Sequence, residues 1–62
     1  MKVTEVLRLL RGNGWSVIVT KGSHRQLKHP YRPGRVTVPG NLGHDLAPGT
    51  LRSILRQAGL KK

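Results

Sequence analysis

The chain contains no cysteine and no phenylalanine, and among its 62 residues only Glu5 and Asp45 carry carboxylate side chains. Without cysteine there is no disulfide, no thiolate nucleophile and no zinc site built on sulfur. Two carboxylates are too few for two-metal nucleases, glycosidases with paired acids or magnesium-dependent phosphotransferases, all of which gather several at one place. Apolar runs are short, so no segment is expected to span a bilayer. No charged n-region followed by an apolar h-region predicts a secretory signal. The eight glycines are scattered over turns, and none belongs to a phosphate loop ending in Lys-Ser or Lys-Thr. Trp15 and Tyr31 are the only aromatic rings apart from histidine, too few for a platform on which bases stack.

What the chain has is positive charge. Twelve Lys and Arg face two acids, for a formal net charge of +10. In so small a protein this predicts a polyanionic partner, with nucleic acid the first candidate. The bland alternative is a small protein that is basic without binding one. The length allows a single domain over residues 1–62, whose core is thin because so short a chain buries only roughly 60 % of its unfolded surface. A cytoplasmic location is the simplest expectation.

The spacing of apolar residues sets the elements. Val3, Val6, Leu7 and Leu10 fall at i, i+3, i+4, i+7 and predict a first helix within residues 1–14. Thr4 or a residue just before it is expected to cap it, Glu5 suits its first turn, and Gly12-Asn13-Gly14 ends it. Arg8 and Arg11 lie off the apolar stripe, on a face expected to be solvated. Residues 15–20 are β-branched and aromatic with alternating Trp15, Val17 and Val19, the pattern of a strand. Gly22-Ser23 marks a turn, residues 24–29 a second strand, residues 30–34 a proline-rich loop, and residues 35–38 a third strand ended by Pro39-Gly40. Pro48 opens a second helix in which Leu51, Ile54, Leu55 and Ala58 repeat the apolar spacing, closed by Gly59. The order α-β-β-β-α predicts an α+β fold: a three-stranded antiparallel meander with both helices on one face, the layout of the double-stranded-RNA-binding domain.

The hairpin register follows from burial. A regular two-residue loop at Gly22-Ser23 sets Gln26 and Lys28 beside Val17 and Val19 on the core face, which is energetically poor. A three-residue loop over Lys21-Gly22-Ser23, or an equivalent bulge, pairs Thr20 with His24 and Val17 with Leu27. Trp15, Val17, Val19, Leu27, Val36 and Val38 are then expected to share the buried face. The open face is expected to hold Ser16, Ile18, Thr20, His24, Gln26, Lys28, Arg35 and Thr37.

On that open face His24 stands at a strand end, beside a glycine turn and within reach of Lys21, Arg25 or Lys28. An imidazole among cations is a candidate general base; the bland alternative is a solvent-exposed residue after a turn. His29 precedes a proline and is expected to pack on Trp15, and His44 sits in a polar loop beside Asp45. The three histidines show no usual ligand spacing, so neither a metal site nor a cofactor is expected. Ser23 beside His24 is no nucleophilic dyad, because neighbours in an extended segment point to opposite sides.

Several of these segments occur together in one known family. Gly14-Trp15 after the first helix, Lys21-Gly22-Ser23-His24 at the hairpin, and Pro33-Gly34-Arg35 leading into Val36-Thr37-Val38-Pro39 resemble the HicA toxins. So does the closing run from Pro48-Gly49-Thr50-Leu51 to Ala58-Gly59-Leu60. The resemblance covers nearly the whole chain, and its specific part is the Gly-Ser-His turn joined to the Gly-Thr-Leu helix. It implies a fold like the double-stranded-RNA-binding domain, ribosome-independent cleavage of messenger RNA, and a HicB-type antitoxin as partner; the scarcity of carboxylates adds the expectation that such cleavage is metal-independent. The functional histidine of the family maps onto His24. One departure stands out: the family often carries a second histidine directly after the proline that ends the third strand, where this chain has Gly40.

The resulting expectation is an endoribonuclease in which His24 is the general acid/base. Lys21, Gly22, Ser23, Arg25, Lys28 and Arg35 form the RNA-binding set. The rival expectations are an RNA-binding module without chemistry and a protein whose basic face docks an acidic partner.

Overall fold

A computed structural model describes residues 1–60. Its elements follow the expected order: α1 (Val3–Gly12), β1 (Ser16–Lys21), β2 (His24–Lys28), β3 (Arg35–Val38) and α2 (Pro48–Gln57). The strands form one antiparallel sheet in the order β1-β2-β3. Val3, Val6, Leu7 and Leu10 of α1 and Ile54 and Ala58 of α2 are buried with Leu27, Val36 and Val38 of the sheet in one cluster. Both helices therefore cover the same sheet face, and the opposite face is open. This is the α+β arrangement of the double-stranded-RNA-binding domain.

The residue that begins α1 is Lys2 rather than Thr4. Its backbone N–H donates to Glu5 Oε1 at 2.8 Å, so the first-turn carboxylate ties the helix start. Thr4 instead donates its hydroxyl to the Leu42 carbonyl at 2.6 Å. With Val3 N–H on the His44 carbonyl at 2.9 Å and Leu46 N–H on the Met1 carbonyl at 2.9 Å, this bond fastens the long loop before α2 to the start of α1.

The junction between α1 and β1 is built around His29. Its ring meets Trp15 edge-on with centroids 5.3 Å apart, as the sequence predicted. Nδ1 accepts the backbone N–H groups of Tyr31 and Arg32 at 3.0 and 3.3 Å, and Nε2 lies 3.0 Å from the Asn13 carbonyl. A ring that accepts at Nδ1 must carry its proton at Nε2 to donate to Asn13. The imidazole thus pins the loop after β2 to the end of α1, which is a structural task. Trp15 Nε1 is buried without an acceptor, a cost of about 1–3 kcal/mol that the burial of the indole ring outweighs.

Gly14 lies beneath that ring with φ +96°, and a Cβ there would sit 2.5 Å from His29 Nε2. Because three hydrogen bonds hold the imidazole, it cannot swing away cheaply. Gly14→Ala is expected to destabilise the protein by about 2–3 kcal/mol through the left-handed backbone and the displaced ring. Urea unfolding checks this, the midpoint falling at unchanged slope.

The hairpin register matches the expectation at its inner end and departs from it at the turn. Val17 pairs with Leu27, and Leu27 in turn with Val36, as the burial argument requires. The turn is nevertheless a two-residue one, because Lys21 pairs with His24 and Thr20 with Arg25. Gly22 has φ +56° and Ser23 no positive φ, the pattern of a type II′ turn. The register is reconciled by a β-bulge between Val17 and Val19 in which Ile18 is the extra residue, 45 % exposed. Beyond the bulge the faces exchange: Val19, paired with Gln26, stands on the open face, and Thr20, paired with Arg25, on the helix side. Both assignments reverse those read from the sequence. The physical reason is that a glycine-led two-residue turn suits the twist of the strands, so the extra residue is absorbed inside β1.

Candidate active site

The open face of the sheet carries most of the residues singled out by the sequence. Lys21 and His24 stand directly across from each other at the hairpin end, both exposed. The bulge at Ile18 is what brings Lys21 onto this face. Gly22 and Ser23 form the tight turn between them, so the spacing of the two residues' backbones is set by the ladder rather than by a loose loop. Next along the face come Gln26 and its neighbour Thr37, and then the cationic pair Lys28 and Arg35. Arg35 Nη1 donates to Gln26 Oε1 at 2.9 Å, which steadies the guanidinium on the sheet.

Distance separates these cations into two groups. Lys28 is four strand residues beyond His24, about 13 Å at the usual rise. Lys28 and Arg35 therefore stand apart from His24, and Lys21 is the cation that shares the imidazole's end of the face. Arg25 is on the other side of the sheet. Its Nη1 donates to the Ser23 carbonyl at 3.2 Å and the Gly40 carbonyl at 2.9 Å, so this half-buried guanidinium braces the turn against the exit of β3. Of the seven residues named from the sequence, the structure gathers Lys21, Gly22, Ser23 and His24 at one end of the open face and Lys28 and Arg35 at the other. Arg25 supports them from behind.

Gly40 has φ +94°, a conformation that a residue with a side chain rarely adopts, and its carbonyl is committed to Arg25. The backbone here is shaped for glycine, so the family histidine absent from this position is not replaced by a simple exchange at the same geometry. His44 is exposed on the loop fastened to the start of α1. Among the described residues no three His, Asp or Glu side chains come together. No helix among them is long and apolar enough to cross a membrane.

Sequence reasoning missed the role of Arg25. The signal was present in the alternation of β2: Arg25 and Leu27 share one face, so if Leu27 is core, Arg25 points to the helices.

The chain matches the family model of the HicA toxin of bacterial toxin–antitoxin systems over residues 3–60. No curated protein matches it. The match runs from the first turn of α1 past the end of α2, taking in the hairpin with its Gly-Ser-His turn and the whole sheet. The chain belongs to the HicA toxin family, and as the toxin of such a pair its counterpart is an antitoxin.

Proposed function

We propose that this toxin is a metal-independent endoribonuclease that cleaves messenger RNA with His24 as general acid/base, and that a HicB-like antitoxin silences it by covering the open sheet face. The observation that carries the reading is the Lys21–His24 pair, exposed side by side on an uncovered basic face.

His24 accepts the proton of a ribose 2′-hydroxyl as that oxygen attacks the adjacent phosphorus. The bond from phosphorus to the 5′-oxygen of the next nucleotide breaks, leaving a 2′,3′-cyclic phosphate and a 5′-hydroxyl. Lys21, at the same end of the face, stabilises the negative charge that builds on the phosphoryl oxygens. The proton for the leaving oxygen comes from the imidazolium just formed or from water. Lys28 and Arg35 grip the chain further along, and Gly22 and Ser23 let its backbone approach the turn closely. The test is incubation of the purified protein with labelled RNA. Cleavage is expected in the presence of chelator, with cyclic-phosphate ends, and a strand bearing 2′-deoxyribose throughout is expected to survive. Loss of cutting on chelation, or cutting of the deoxy strand, would overturn the mechanism.

The competing reading is an RNA-binding module without chemistry, favoured by the presence of a single imidazole on the face. Both readings predict binding governed by phosphate contacts. If about six phosphates are neutralised, log affinity for single-stranded RNA falls against log salt with a slope of about −4. A salt titration by fluorescence anisotropy checks the slope; formation of cleavage products separates the two readings.

A further inference from the structure

Arg8 and Arg11, which the sequence assigns to a solvated face, line a groove of about 400 Å³ on the helix side of the hairpin. Together with Thr4 and Leu7 they follow i, i+3, i+4, i+7 spacing and make one wall of it. The facing wall comes from Val17, Thr20 and Arg25. Thr20 reaches it only because the bulge at Ile18 exchanges the faces of β1; in a regular strand Val17 and Thr20 point to opposite sides. Leu42 closes the groove, and its carbonyl is held by both the Thr4 hydroxyl at 2.6 Å and the Thr4 N–H at 3.2 Å. Arg25 is held by the Ser23 and Gly40 carbonyls. Both ends of the groove are thus anchored before any ligand arrives, which lowers the ordering cost of binding.

The lining combines three guanidiniums and two hydroxyls with the aliphatic side chains of Leu7, Val17 and Leu42, and no carboxylate is among it. Its occupant must bring negative charge and an apolar, compact body. The volume is that of a small-molecule site, whereas a protein partner of ordinary affinity needs about 800 Å² of surface on each side. A nucleotide satisfies both demands.

We propose that this groove is a nucleotide subsite for RNA, in which Arg8 and Arg11 hold a phosphate and the attached base lies against Leu7, Val17 and Leu42. The inference rests on the ribonuclease reading above, which makes RNA the ligand. It adds a path. The Thr20–Arg25 pair is the ladder step next to Lys21–His24, and β1 is an edge strand. A strand held at His24 enters the groove by bending around the β1 edge at the hairpin end, so substrate contacts both faces of the sheet.

The experiment measures binding of an RNA octamer to His24→Ala protein by fluorescence anisotropy, alone and with Arg8→Gln/Arg11→Gln added. Both arginines are exposed on α1 and glutamine matches arginine in helix propensity, so the fold is expected to persist, which circular dichroism checks. The double substitution is expected to weaken the octamer about tenfold to a hundredfold and to flatten the salt slope by about one. Arg52→Gln/Arg56→Gln, which removes the same charge from the exposed side of α2, is expected to weaken it about threefold or less. Leu42→Ser is expected to weaken the octamer while leaving the affinity for inorganic tripolyphosphate unchanged. Equal losses from the two arginine pairs would reduce the groove to general charge. Uridine monophosphate binding as tightly as the octamer would make the ligand a free nucleotide, and an Arg8/Arg11 effect confined to an acidic protein partner would make it a protein; each overturns the proposal. Cleavage by the His24→Ala protein would remove the catalytic assignment while leaving the groove result standing.

Discussion

Replacing His24 by alanine is expected to lower RNA cleavage by about 10²–10⁴-fold, the contribution of one positioned acid–base side chain. The ring is exposed on the open face, outside the buried cluster, so its loss removes no packing. Thermal stability and RNA affinity are therefore expected to stay close to those of the parent, surface substitutions of this kind falling within about 0.5 kcal/mol. Growth inhibition on expression is expected to vanish with the cleavage. His29→Ala supplies the contrast, because that imidazole bonds three backbone groups and packs on Trp15. It is expected to lose stability first and activity only in consequence. Cleavage products from His24→Ala at the parent's rate would remove the catalytic assignment from His24; no products from the parent itself would return the protein to the class of RNA-binding modules.

The helices and the inner register were legible because burial leaves a pattern that a short chain cannot disguise. Val3, Val6, Leu7 and Leu10 repeat every turn of a helix and are all buried. Leu27, flanked by polar residues, must be core, and it forces Val17 and Val36 into its row. The bulge was less legible. A three-residue loop and a bulge inside β1 place Leu27 identically, and they differ only in where the extra residue goes. That choice rests on the twist of a Gly-Ser turn against the cost of a kinked strand, and the two differ by little. Its consequence reaches the candidate site all the same. Had the loop taken the extra residue, Lys21 would lie in the turn and Thr20 would stand opposite His24; with the bulge, Lys21 faces the imidazole and Thr20 and Arg25 turn to the groove. Arg8 and Arg11 were hidden for a different reason. Periodicity shows which residues of a helix are buried, and it does not show that a neighbouring hairpin stands beside the exposed ones.

Leu27→Ala is expected to leave the protein largely unfolded at 37 °C. Leu27 is fully buried on the central strand, with Val17 on one side and Val36 on the other, in one cluster with the buried residues of both helices. A leucine cut back to alanine in such a place costs about 2–5 kcal/mol, toward the upper end where the surroundings cannot collapse into the space. Here they are held by a three-stranded ladder and cannot. At about 0.05–0.15 kcal/mol per residue a chain of this length has about 3–9 kcal/mol in total, so one methyl-rich side chain is a large share of the whole. Leu27→Met, which keeps the volume, is expected to cost less than about 1.5 kcal/mol, and Ile18→Ala, in the exposed bulge, less than about 1 kcal/mol. Urea titrations of the three variants check the order, and a loss below about 1 kcal/mol for Leu27→Ala would place the centre of the core elsewhere. Leu27→Ala is also expected to abolish cleavage, but only because the native circular dichroism is lost with it. His24→Ala and Leu27→Ala are thus both expected to end cleavage, and only His24→Ala is expected to leave a folded protein that binds RNA.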